Sequence, residues 1–418
     1  MWKQYLDLPR SVHILCLGTF VNRAGSFFVI FLTIYLSDKL GFEVTFATWC
    51  MGLFGSGALV ASLLGGHLAD RFGRRIVMIA SLVGGALILA VFSSLASRDA
   101  IMAATFAYAV LITAYRPAAS AMIGDLVDPA QRPPAFGLMH FSINLGFTCG
   151  AAVGGKLASF SFPLLFWSDA LTTLAYGLII YLAIAETLPG RTIPDPNDST
   201  DQNAAGEPSG DAVPESVSVG RAALHILRDG PFMLFCLGTI LVGIVFMQSF
   251  STLPVYLQSR GFQPEDYGYV IAVNGLLIVL LLLPLTTFLS RFDRLKVVML
   301  GAATIGVGFG LNAFATLGWH FAGAVVVWTF GEMMQSPFNS AIVTDLAPRA
   351  LRARYMGVFG MSFSAALMIG APLGGEVLDR LGSNVLWIGG MGVAGLAVAL
   401  YLLIYRSVHR RCMTETIR

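Results

Sequence analysis

Long apolar stretches separated by short polar breaks run along almost the whole chain. An α-helix needs roughly 20 apolar residues to cross a bilayer core about 30 Å thick. Divided at charged residues and at Pro/Gly breaks, the stretches predict twelve such helices, and therefore an all-α integral membrane protein. The predicted spans lie near residues 12–36, 44–68, 76–97, 100–126, 135–159, 163–186, 232–257, 266–290, 297–316, 319–345, 355–378 and 383–405.

The segment 188–231 breaks this pattern. It contains several prolines among Asp, Asn, Ser and Gly residues, and such a composition buries too little apolar area to order itself. We therefore predict a largely flexible cytoplasmic linker at 188–231, with a short surface helix near Ser218–Leu227. The linker divides the chain into an N-terminal six-helix bundle (1–187), a C-terminal six-helix bundle (232–405) and a cytoplasmic tail (406–418).

The composition supports membrane insertion. The 418-residue chain is 56% hydrophobic and only 12% charged, whereas a soluble chain is about 25% charged. Soluble enzymes, disordered proteins and nucleic-acid binders are therefore disfavoured, and a net charge of +2 gives no sign of a polyanionic partner. The five cysteines form no CxxC motif or Cys/His cluster, so no metal or cofactor is expected.

Lysine and arginine are concentrated on one side of the predicted topology. Most of the 26 lysine and arginine residues lie on the side that carries both termini. Those on the other side are Lys39, Arg98, Lys156, Arg260 and Arg380. Cytoplasmic loops carry such an excess. Both termini are therefore predicted to be cytoplasmic, in a multi-pass protein of the inner (plasma) membrane.

The second half of the chain repeats the first at a constant offset of 220 positions. Pro, Asp, Arg and Trp pairs at one offset are hard to obtain by chance in a Gly/Leu-rich chain, and they predict two six-helix bundles of the same orientation. The most informative pairs are Arg71 with Arg291, Arg74 with Arg294, Pro117 with Pro337, Asp125 with Asp345, Arg132 with Arg352 and Trp167 with Trp387.

A specific loop follows the second predicted span, where residues 66–75 read GHLADRFGRR. This order resembles the signature loop G-x-L-a-D-r-x-G-r-[KR] of the major facilitator superfamily. With the number of spans and the duplicated halves, the resemblance covers essentially the whole chain. It implies a monomeric secondary transporter, not an enzyme, in which two halves give alternating access to a central site. The expected partners are a small-molecule substrate, protons and the lipid bilayer.

The resemblance also implies that this loop is a conformational latch, which holds the outward-facing state and breaks on inward opening. Asp70 is expected to face the positive N-terminal end of the eleventh span near Arg354, and Arg74 is expected to pair with Asp125. Ser290 replaces the acid in the second half, so the latch is predicted to be asymmetric. The predicted latch residues are Gly66, Asp70, Arg71, Gly73, Arg74 and Asp125.

Glycines of the fifth predicted span follow a second spacing, G-x8-G-x3-G-P-x2-G-G, which is associated with antiporters of the superfamily. Ala151 replaces its proline. Glycines on one side of a helix permit close packing against a neighbour, so the alternative is that these residues serve packing alone. The matching positions are Gly137, Gly146, Gly150, Gly154 and Gly155.

Three ionisable residues lie inside predicted spans, namely Arg23, Arg116 and Glu332. A charge at the centre of a membrane helix costs roughly 2.5–3.5 kcal/mol on insertion scales, so such groups are expected to be functional. Glu332 is predicted to bind the coupled proton, because burial disfavours its charged form. The alternative is a permanently ionised partner of Arg23 or Arg116. Each arginine is predicted either to bind an anionic group of the substrate or to form a structural ion pair. For Arg116 the candidate partners in such a pair are Asp125 and Glu332.

Polar side chains recur at helical spacing in spans 1, 4, 7 and 10. These are the helices that the resemblance implies line the central cavity. Elsewhere, Asp169 is predicted to lie at the membrane interface, and His140 to be a core histidine rather than a proton relay. The predicted cavity residues are Asn22, Arg23, Ser26, Tyr108, Tyr115, Arg116, Gln248, Thr252, Tyr256, Trp328, Gln335 and Asn339.

The predicted function is secondary active transport. Proton-coupled export of amphipathic small molecules or drugs is favoured by the antiporter-like glycines, the single buried glutamate and the aromatic interior. The alternative is a proton-coupled importer of a small organic anion or peptide-like solute. One observation in its favour is that the predicted cavity contains two arginines and one glutamate, an excess of positive charge. Another is that residues 22–28 resemble the first helix of peptide transporters. A membrane-embedded lipid-modifying enzyme is a remote alternative, since the sequence contains no P-loop, GxSxG elbow or metal-ligand cluster.

Overall fold

The structure is a computed structural model that describes residues 3–128, 131–187, 219–348 and 351–416. These residues form helices and no strand. The long helices, labelled α1 to α12, are α1 (Arg10–Lys39), α2 (Val44–Phe72), α3 (Arg74–Phe92), α4 (Arg98–Leu126), α5 (Arg132–Phe160), α6 (Phe162–Ala183), α7 (Gly230–Ser251, continued by Leu253–Ser259), α8 (Pro264–Leu289), α9 (Arg294–Leu311), α10 (Gly318–Leu346), α11 (Arg352–Leu381) and α12 (Ser383–Thr416).

Within the described residues, 11 helices are long and apolar enough to cross a membrane. The remaining long helix, α10, has 29 residues, the same length as α4, which suffices for a crossing at about 1.5 Å per residue. Its lower hydropathy comes from polar side chains such as Glu332, Gln335 and Asn339. The predicted all-α fold of twelve membrane helices in two bundles is confirmed, and the most polar span carries the predicted proton-binding residue.

The repeat in the sequence is also present in the helix boundaries. Helices α4 and α10 begin and end at positions 220 residues apart. The first residues of α1, α2, α3 and α5 have the same offset from those of α7, α8, α9 and α11. The halves α1–α6 and α7–α12 therefore share one architecture.

The first helix of each half is interrupted at a corresponding place. Regular helix is lost at residues 25–27 in α1, and at Met247 and Thr252 in α7. Glycine fits at position 25 because Thr172 of α6 occupies the space into which a side chain would project. The interruption releases backbone N–H groups inside the bundle, and buried N–H groups need partners.

The two halves meet along the helix pairs α2/α11 and α5/α8. We call the end with the termini and most Lys/Arg-rich loops the basic end, and the opposite end the outer end. Toward the outer end, Gly55 of α2 is so close to α11 that a side chain there would lie 2.9 Å from Met368 Cα. A side chain at Gly155 of α5 would lie 3.0 Å from Glu265 Cα of α8. Glycines thus allow tight contact between the halves.

Hydrogen bonds reinforce both contacts at the outer end. Thr45 Oγ1 of α2 donates to Asp379 Oδ2 of α11 (3.3 Å), and the N–H of Glu265 of α8 donates to Ser159 Oγ of α5 (3.2 Å). Thr45 and Glu265 are 220 positions apart, and so are Ser159 and Asp379, so the repeat relates one hydrogen bond to the other. The outer end is therefore closed in the same way on both sides of the molecule.

Helices α2 and α11 diverge toward the basic end. Gly66 and Gly357 lie eleven residues closer to that end than Gly55 and Met368, on the same helix faces, because eleven residues make about three turns. A side chain added at Gly66 or Gly357 would meet no atom within 4 Å. In the part of the chain that the structure describes, the halves meet at the outer end, and α2 and α11 lie apart at the basic end.

The last helix extends through most of the predicted tail 406–418, as far as Thr416. Contacts of its side chains hold the extension. Arg411 Nη1 donates to Asp229 Oδ2 (2.8 Å), and His409 Nδ1 lies 3.0 Å from Asp293 Oδ2. In the predicted linker, the surface helix is present at Val219–Arg228. The rest of that prediction, residues 188–218, lies outside the described residues.

Candidate functional site

Hydrogen bonds within the first half hold Arg23 near the middle of α1. Its Nη2 donates to Tyr115 Oη (2.9 Å), Tyr115 Oη donates to Asn22 Oδ1 (3.4 Å), and Asn22 Nδ2 donates to Thr173 Oγ1 (3.0 Å). Tyr115, Asn22 and Thr173 are buried, whereas Arg23 is half-buried and its Nε has no partner. Neutral groups therefore fix the guanidinium group and leave its charge without an ion pair among the described residues.

Asp169 of α6 lies at the other end of this network. The prediction that it is interfacial is wrong, because Asp169 is fully buried and contacts residues 27 and 28 near the middle of α1. Its Oδ2 accepts the N–H groups of Phe27 (2.9 Å) and Phe28 (3.0 Å), and its Oδ1 accepts the hydroxyl of Thr173 (3.3 Å). The N–H of Phe27 also lies 2.9 Å from Gly25 O within α1. The acid on α6 therefore adds an acceptor for Phe27 and supplies one for the N–H of Phe28, which the interruption of α1 releases.

Arg116 lies on α4 beside this network and is exposed. Arg23 donates to Tyr115, the residue that precedes Arg116, so the two arginines lie close together. The alternative pairs of Arg116 are absent from the described structure, since Asp125 pairs with Arg74 and no ion pair joins Arg116 to Glu332. The first half therefore contributes two positive charges without a carboxylate partner.

Glu332 of α10 is half-buried and contacts neutral groups. Asn274 Nδ2 of α8 donates to Glu332 Oε2 (2.7 Å) and to Thr329 Oγ1 (3.1 Å). Asn274 and Thr329 are buried. Among the described residues Glu332 forms no ion pair with Arg23 or Arg116, so the alternative of a permanent ion pair is not realised in this conformation.

The charges are divided unequally between the halves. At the offset of the repeat, Gly243 corresponds to Arg23, and Ser336 corresponds to Arg116. The carboxyl group of Glu332 belongs to the second half alone. The first half thus carries Arg23, Arg116 and the buried Asp169, whereas the second half carries Glu332.

Aromatic side chains join the halves on the outer side of Glu332. We call Phe147 of α5, Phe246 and Phe250 of α7, and Trp328 of α10 the aromatic cluster. Ring centroids are 6.1 Å apart for Phe147 and Phe250, 6.3 Å for Phe246 and Phe250, and 5.4 Å for Phe246 and Trp328. The three phenylalanines remain half-buried. They provide apolar surface one helical turn from the acid, since Trp328 precedes Glu332 by four residues.

Three residues of α7 predicted to line the cavity are buried and hydrogen-bonded instead. Gln248 Nε2 donates to Gly370 O of α11 (2.7 Å), and its Oε1 accepts the hydroxyl of Thr252 (2.9 Å). Tyr256 Oη donates to Asn312 O (3.4 Å). In this conformation the three side chains therefore hold α7 against its neighbours. A polar stripe in a sequence does not distinguish a cavity from a hydrogen-bonded helix interface.

The remaining predicted cavity residues differ in accessibility. Ser26 is half-buried, and Tyr108 is buried. Trp328, Gln335 and Asn339 of α10 are also buried, and Trp328 Nε1 and Asn339 Oδ1 have no hydrogen-bond partner. Unpaired polar atoms are uncommon in folded proteins, and both lie on the helix that carries Glu332.

Glycines of α5 bring this helix against α1 at the Arg23 network. A side chain at Gly146 would lie 2.6 Å from Arg23 Cβ, and one at Gly150 would lie 2.9 Å from Arg23 O. A side chain at Gly154 would lie 2.6 Å from Phe27 Cδ1. These glycines are therefore required for the position of Arg23 and of the interrupted segment of α1.

The other two glycines of the motif have different surroundings. Gly155 contacts α8 across the interface between the halves, as described above. Gly137 lies near the basic end, where an added side chain would meet only Tyr5 (3.8 Å). The motif therefore combines packing within one half with closure of the outer end.

The predicted pair between Arg74 and Asp125 is confirmed, with Nη1 and Oδ2 3.0 Å apart. Glu186 at the end of α6 adds a contact: it accepts the backbone N–H groups of Arg74 (3.0 Å) and Arg75 (3.2 Å) and so caps α3. Gly73 has φ +105°, a conformation that favours glycine. The turn between α2 and α3 is thus fixed by residues of α2, α4 and α6.

The part of the predicted latch that would join the two halves is open. Asp70 and Arg71 are exposed, and the carboxylate of Asp70 has no partner among the described residues. At the start of α11, Tyr355 donates instead to Asp229 Oδ2 of α7 (3.0 Å). This arrangement agrees with the divergence of the halves at the basic end.

The roles of three residues of the site were not predicted from the sequence. Asp169 carries the signal that identified Glu332, an acid within an apolar span. Asn274 interrupts an apolar run of the eighth span. Its role was not predicted because the polar stripes lie in spans 1, 4, 7 and 10. Glu186 stands at the end of a span, where an acid is ordinary, and nothing in the sequence marks it as a cap.

Two repeated six-helix bundles, closed together at one end and apart at the other around uncompensated charges, are the architecture of a membrane transporter that works by alternating access. The family follows from comparison with known proteins. The model of the Major Facilitator Superfamily matches residues 15–371 and, in a second match, 258–411. The chain belongs to this superfamily.

Relatives are similar over almost their entire length. The chain is 30% identical to the MFS-type transporter YttB of Bacillus subtilis (strain 168), with 96% of each chain covered. It is 25% identical to a Na(+), Li(+), K(+)/H(+) antiporter of Planococcus maritimus, with 98% of this chain and 99% of the relative covered. It is 24% identical to the multidrug resistance protein MdtH of Cronobacter sakazakii (strain ATCC BAA-894), with 84% and 83% covered.

Solved structures share the fold. A POT family transporter in complex with 5-aminolevulinic acid matches with a TM-score of 0.80 at 16% identity, over 96% of this chain and 97% of that chain. The nucleoside transporter NupG matches with a TM-score of 0.73 at 16% identity, over 95% and 99%. At such identities the likeness shows the fold alone.

Proposed function

We propose that the protein is a proton-coupled antiporter that exports amphipathic small molecules by alternating access. The observation that carries the proposal is the environment of Glu332. Its carboxyl group lies within the helix bundle, is half-buried, and is hydrogen-bonded by the neutral Asn274. Because no described arginine pairs with it, a proton is the natural way to neutralise it when it faces the membrane interior. Such a group gains and loses its proton as access alternates.

The aromatic cluster supports an amphipathic substrate. Phe147, Phe246 and Phe250 offer half-buried rings on the outer side of Glu332. A pocket with mostly apolar walls and a few polar groups is typical of small-molecule sites. We propose that the apolar part of the substrate packs against these rings and that a polar group of the substrate lies near Glu332.

The transport cycle follows from the open basic end. The excess of Lys and Arg makes that end cytoplasmic, so both termini are cytoplasmic and the structure is open toward the cytoplasm. Substrate binds here while Glu332 is ionised. The halves then close at the basic end, where Asp70 meets α11, and separate at the outer end. A proton from outside binds Glu332, and substrate leaves. The protonated carrier then returns and releases the proton into the cytoplasm, which leaves Glu332 ionised for the next substrate.

The relatives support antiport and the coupling ion. One relative is named as a cation/H(+) antiporter and another as a multidrug resistance protein. The first name specifies exchange against protons and the second specifies resistance to drugs. We combine the two for this chain as export of drugs against protons. A monomer in the plasma membrane is the simplest assembly for this fold, in which one chain supplies both halves.

A second function, import of a small organic anion with protons, is favoured by a different observation. Arg23 and Arg116 lie close together and neither has a carboxylate partner among the described residues. Asp169, the buried acid of the same half, is occupied by backbone N–H groups and by Thr173. The two guanidinium groups therefore remain available to attract an anionic substrate.

Transport by the purified protein in proteoliposomes distinguishes the two functions. A pH gradient is imposed, and labelled amphipathic cations, neutral amphiphiles and organic anions are tested in turn. We expect an amphiphile to move against the proton flux, and an ionophore that collapses the gradient to stop its accumulation. Movement of an organic anion together with protons would replace export with the second function. Transport that ignores the pH gradient for every substrate would contradict proton coupling.

A further inference from the structure

The surface helix Val219–Arg228 ends directly before the first membrane span of the second half. It has 10 residues, and α7 begins at Gly230. Asp229 between them is not helical, and its Oδ1 accepts the N–H of Phe232 (3.4 Å) at the start of α7. The surface helix is therefore a separate element. It lies at the basic end, at the level where the apolar part of α7 begins.

The described side chains divide the surface helix into three sides. Ile226 is 3% exposed and belongs to the hydrophobic core, whereas Leu224 (48%) and Leu227 (64%) are exposed. Leu227 and Leu224 lie at about 100° and 160° from Ile226 around the helix axis. The exposed Arg228 and His225 follow at about 200° and 260°. The helix therefore has a side toward the protein, an apolar side and a polar side, about 120° apart.

The repeat shows that entry into a membrane span does not require this apolar side. The positions 220 residues before Leu224 and Leu227 are occupied by Gln4 and Asp7, so the first half approaches its first span with polar residues. An exposed leucine has a free-energy cost in water. The two leucines of the second half therefore indicate an apolar partner that the first half does not need.

The polar side carries a basic residue that is available for an anion. Arg228 is exposed and forms no ion pair within the described residues. The neighbouring acid, Asp229, is already held by Arg411, whose Nη1 lies 2.8 Å from Asp229 Oδ2. Arginine binds phosphate groups through two parallel N–H···O hydrogen bonds. A helix with leucines on one side and a basic residue beside them fits a membrane surface that contains anionic lipids.

We propose that the surface helix binds the cytoplasmic face of the membrane, with Leu224 and Leu227 among the lipid tails and Arg228 on the phosphate group of an anionic lipid. Ile226 stays against the helix bundle. Lipid surrounds the start of every membrane span, whereas a protein partner would have to be recruited to it. The inference rests on the cytoplasmic orientation of the basic end, and it holds whatever substrate the protein carries.

Labelling of introduced cysteines in lipid nanodiscs tests the orientation of the surface helix. The full-length protein, one copy per nanodisc, carries Leu224→Cys, Leu227→Cys or His225→Cys, and a water-soluble maleimide is added. Peptide mass spectrometry reads the rate at the introduced residue, so the native cysteines stay in place, and the rate in the unfolded protein corrects for intrinsic reactivity. We expect positions 224 and 227 to react about tenfold or more slowly than position 225, because lifting the helix also exposes the remaining leucine.

Lipid composition tests the role of Arg228. Labelling of Leu227→Cys is compared in nanodiscs of phosphatidylcholine alone and in nanodiscs with added phosphatidylglycerol. We expect phosphatidylglycerol to slow the labelling about fivefold, the effect of one basic residue at an anionic surface. Adding Arg228→Gln should remove this difference, and adding Arg228→Lys, which keeps the charge, should retain it. Arg98→Gln, at an exposed arginine of the outer end, is the matched control and should leave the difference unchanged.

Several outcomes would overturn the proposal. Equal labelling at positions 224, 225 and 227 would mean that the helix lies in water, and slow labelling at 225 alone would mean that its other side faces the membrane. Fast labelling at 224 and 227 in nanodiscs but slow labelling in native membranes would assign the apolar side to a partner protein. A rate at Leu227→Cys that is the same with and without phosphatidylglycerol would overturn the binding of anionic lipid by Arg228.

Discussion

Replacing Asp169 with alanine removes the acceptor of two backbone N–H groups at the interruption of α1. The N–H groups of Phe27 and Phe28 lie 2.9 and 3.0 Å from the same carboxylate oxygen, and Asp169 is fully buried. The N–H of Phe27 also lies 2.9 Å from Gly25 O, so the substitution leaves the N–H of Phe28 without a partner. A buried donor without a partner costs about 1–3 kcal/mol. Asp169→Asn keeps one oxygen, which can accept both N–H groups, and should lose much less.

Thermal unfolding of the purified protein in detergent measures this difference. A change of 1 kcal/mol shifts Tm by about 2–4 °C in a unit of 150–250 residues, the size of one half. Asp169→Ala should therefore lower Tm by about 2–12 °C, and Asp169→Asn by less. Asp99→Ala, an exposed acid in the first turn of α4, is the control for loss of a negative charge.

Two results would refute the reasoning about Asp169. If alanine were as stable as the wild type, the released N–H groups would have found other partners, and the cap would be unnecessary. If asparagine were as damaging as alanine, the negative charge rather than the acceptor oxygen would be what α1 requires.

Three further predictions concern the two ends of the molecule. Gly155→Val places a side chain against α8, where even a Cβ would lie 3.0 Å from Glu265 Cα, so labelling of cysteines at the outer end should increase; unchanged labelling would contradict the packing. Asp70→Asn weakens the latch and should bias the protein toward opening at the basic end; unchanged labelling at the outer end would reject the latch. Glu186→Ala uncovers the first N–H groups of α3 and should cost about 1 kcal/mol in thermal unfolding; wild-type stability would show that water replaces the cap.

Much of the fold was predictable because its signals are local. A membrane helix can be recognised from the hydropathy of its own residues, and the duplication from the constant offset between matching residues of the two halves. The pair of Arg74 and Asp125 was predictable because the family resemblance places these residues at the ends of neighbouring helices, and the structure confirms it.

The candidate site was predictable only in part, because its partners come from helices distant in the sequence. The stripe of Gln248, Thr252 and Tyr256 has the spacing of a cavity lining, yet these side chains bond to α7 itself and to neighbouring backbone groups. Asp169 has the same local signal as Glu332 but a different role, since its partners are backbone groups released 140 residues earlier in the chain. Sequence spacing specifies a face of a helix, not the atoms that meet it.

The central claim is that Glu332 carries the proton that drives transport. Its most direct test compares uphill transport driven by a pH gradient with downhill substrate exchange in proteoliposomes containing wild type, Glu332→Gln or Glu43→Gln. Glutamine keeps the size and polarity of Glu332 but cannot titrate, so we predict that Glu332→Gln loses uphill transport and keeps exchange. Glu43→Gln, at an exposed acid of the outer end, should behave as the wild type. Uphill transport at the wild-type level by Glu332→Gln would contradict the account.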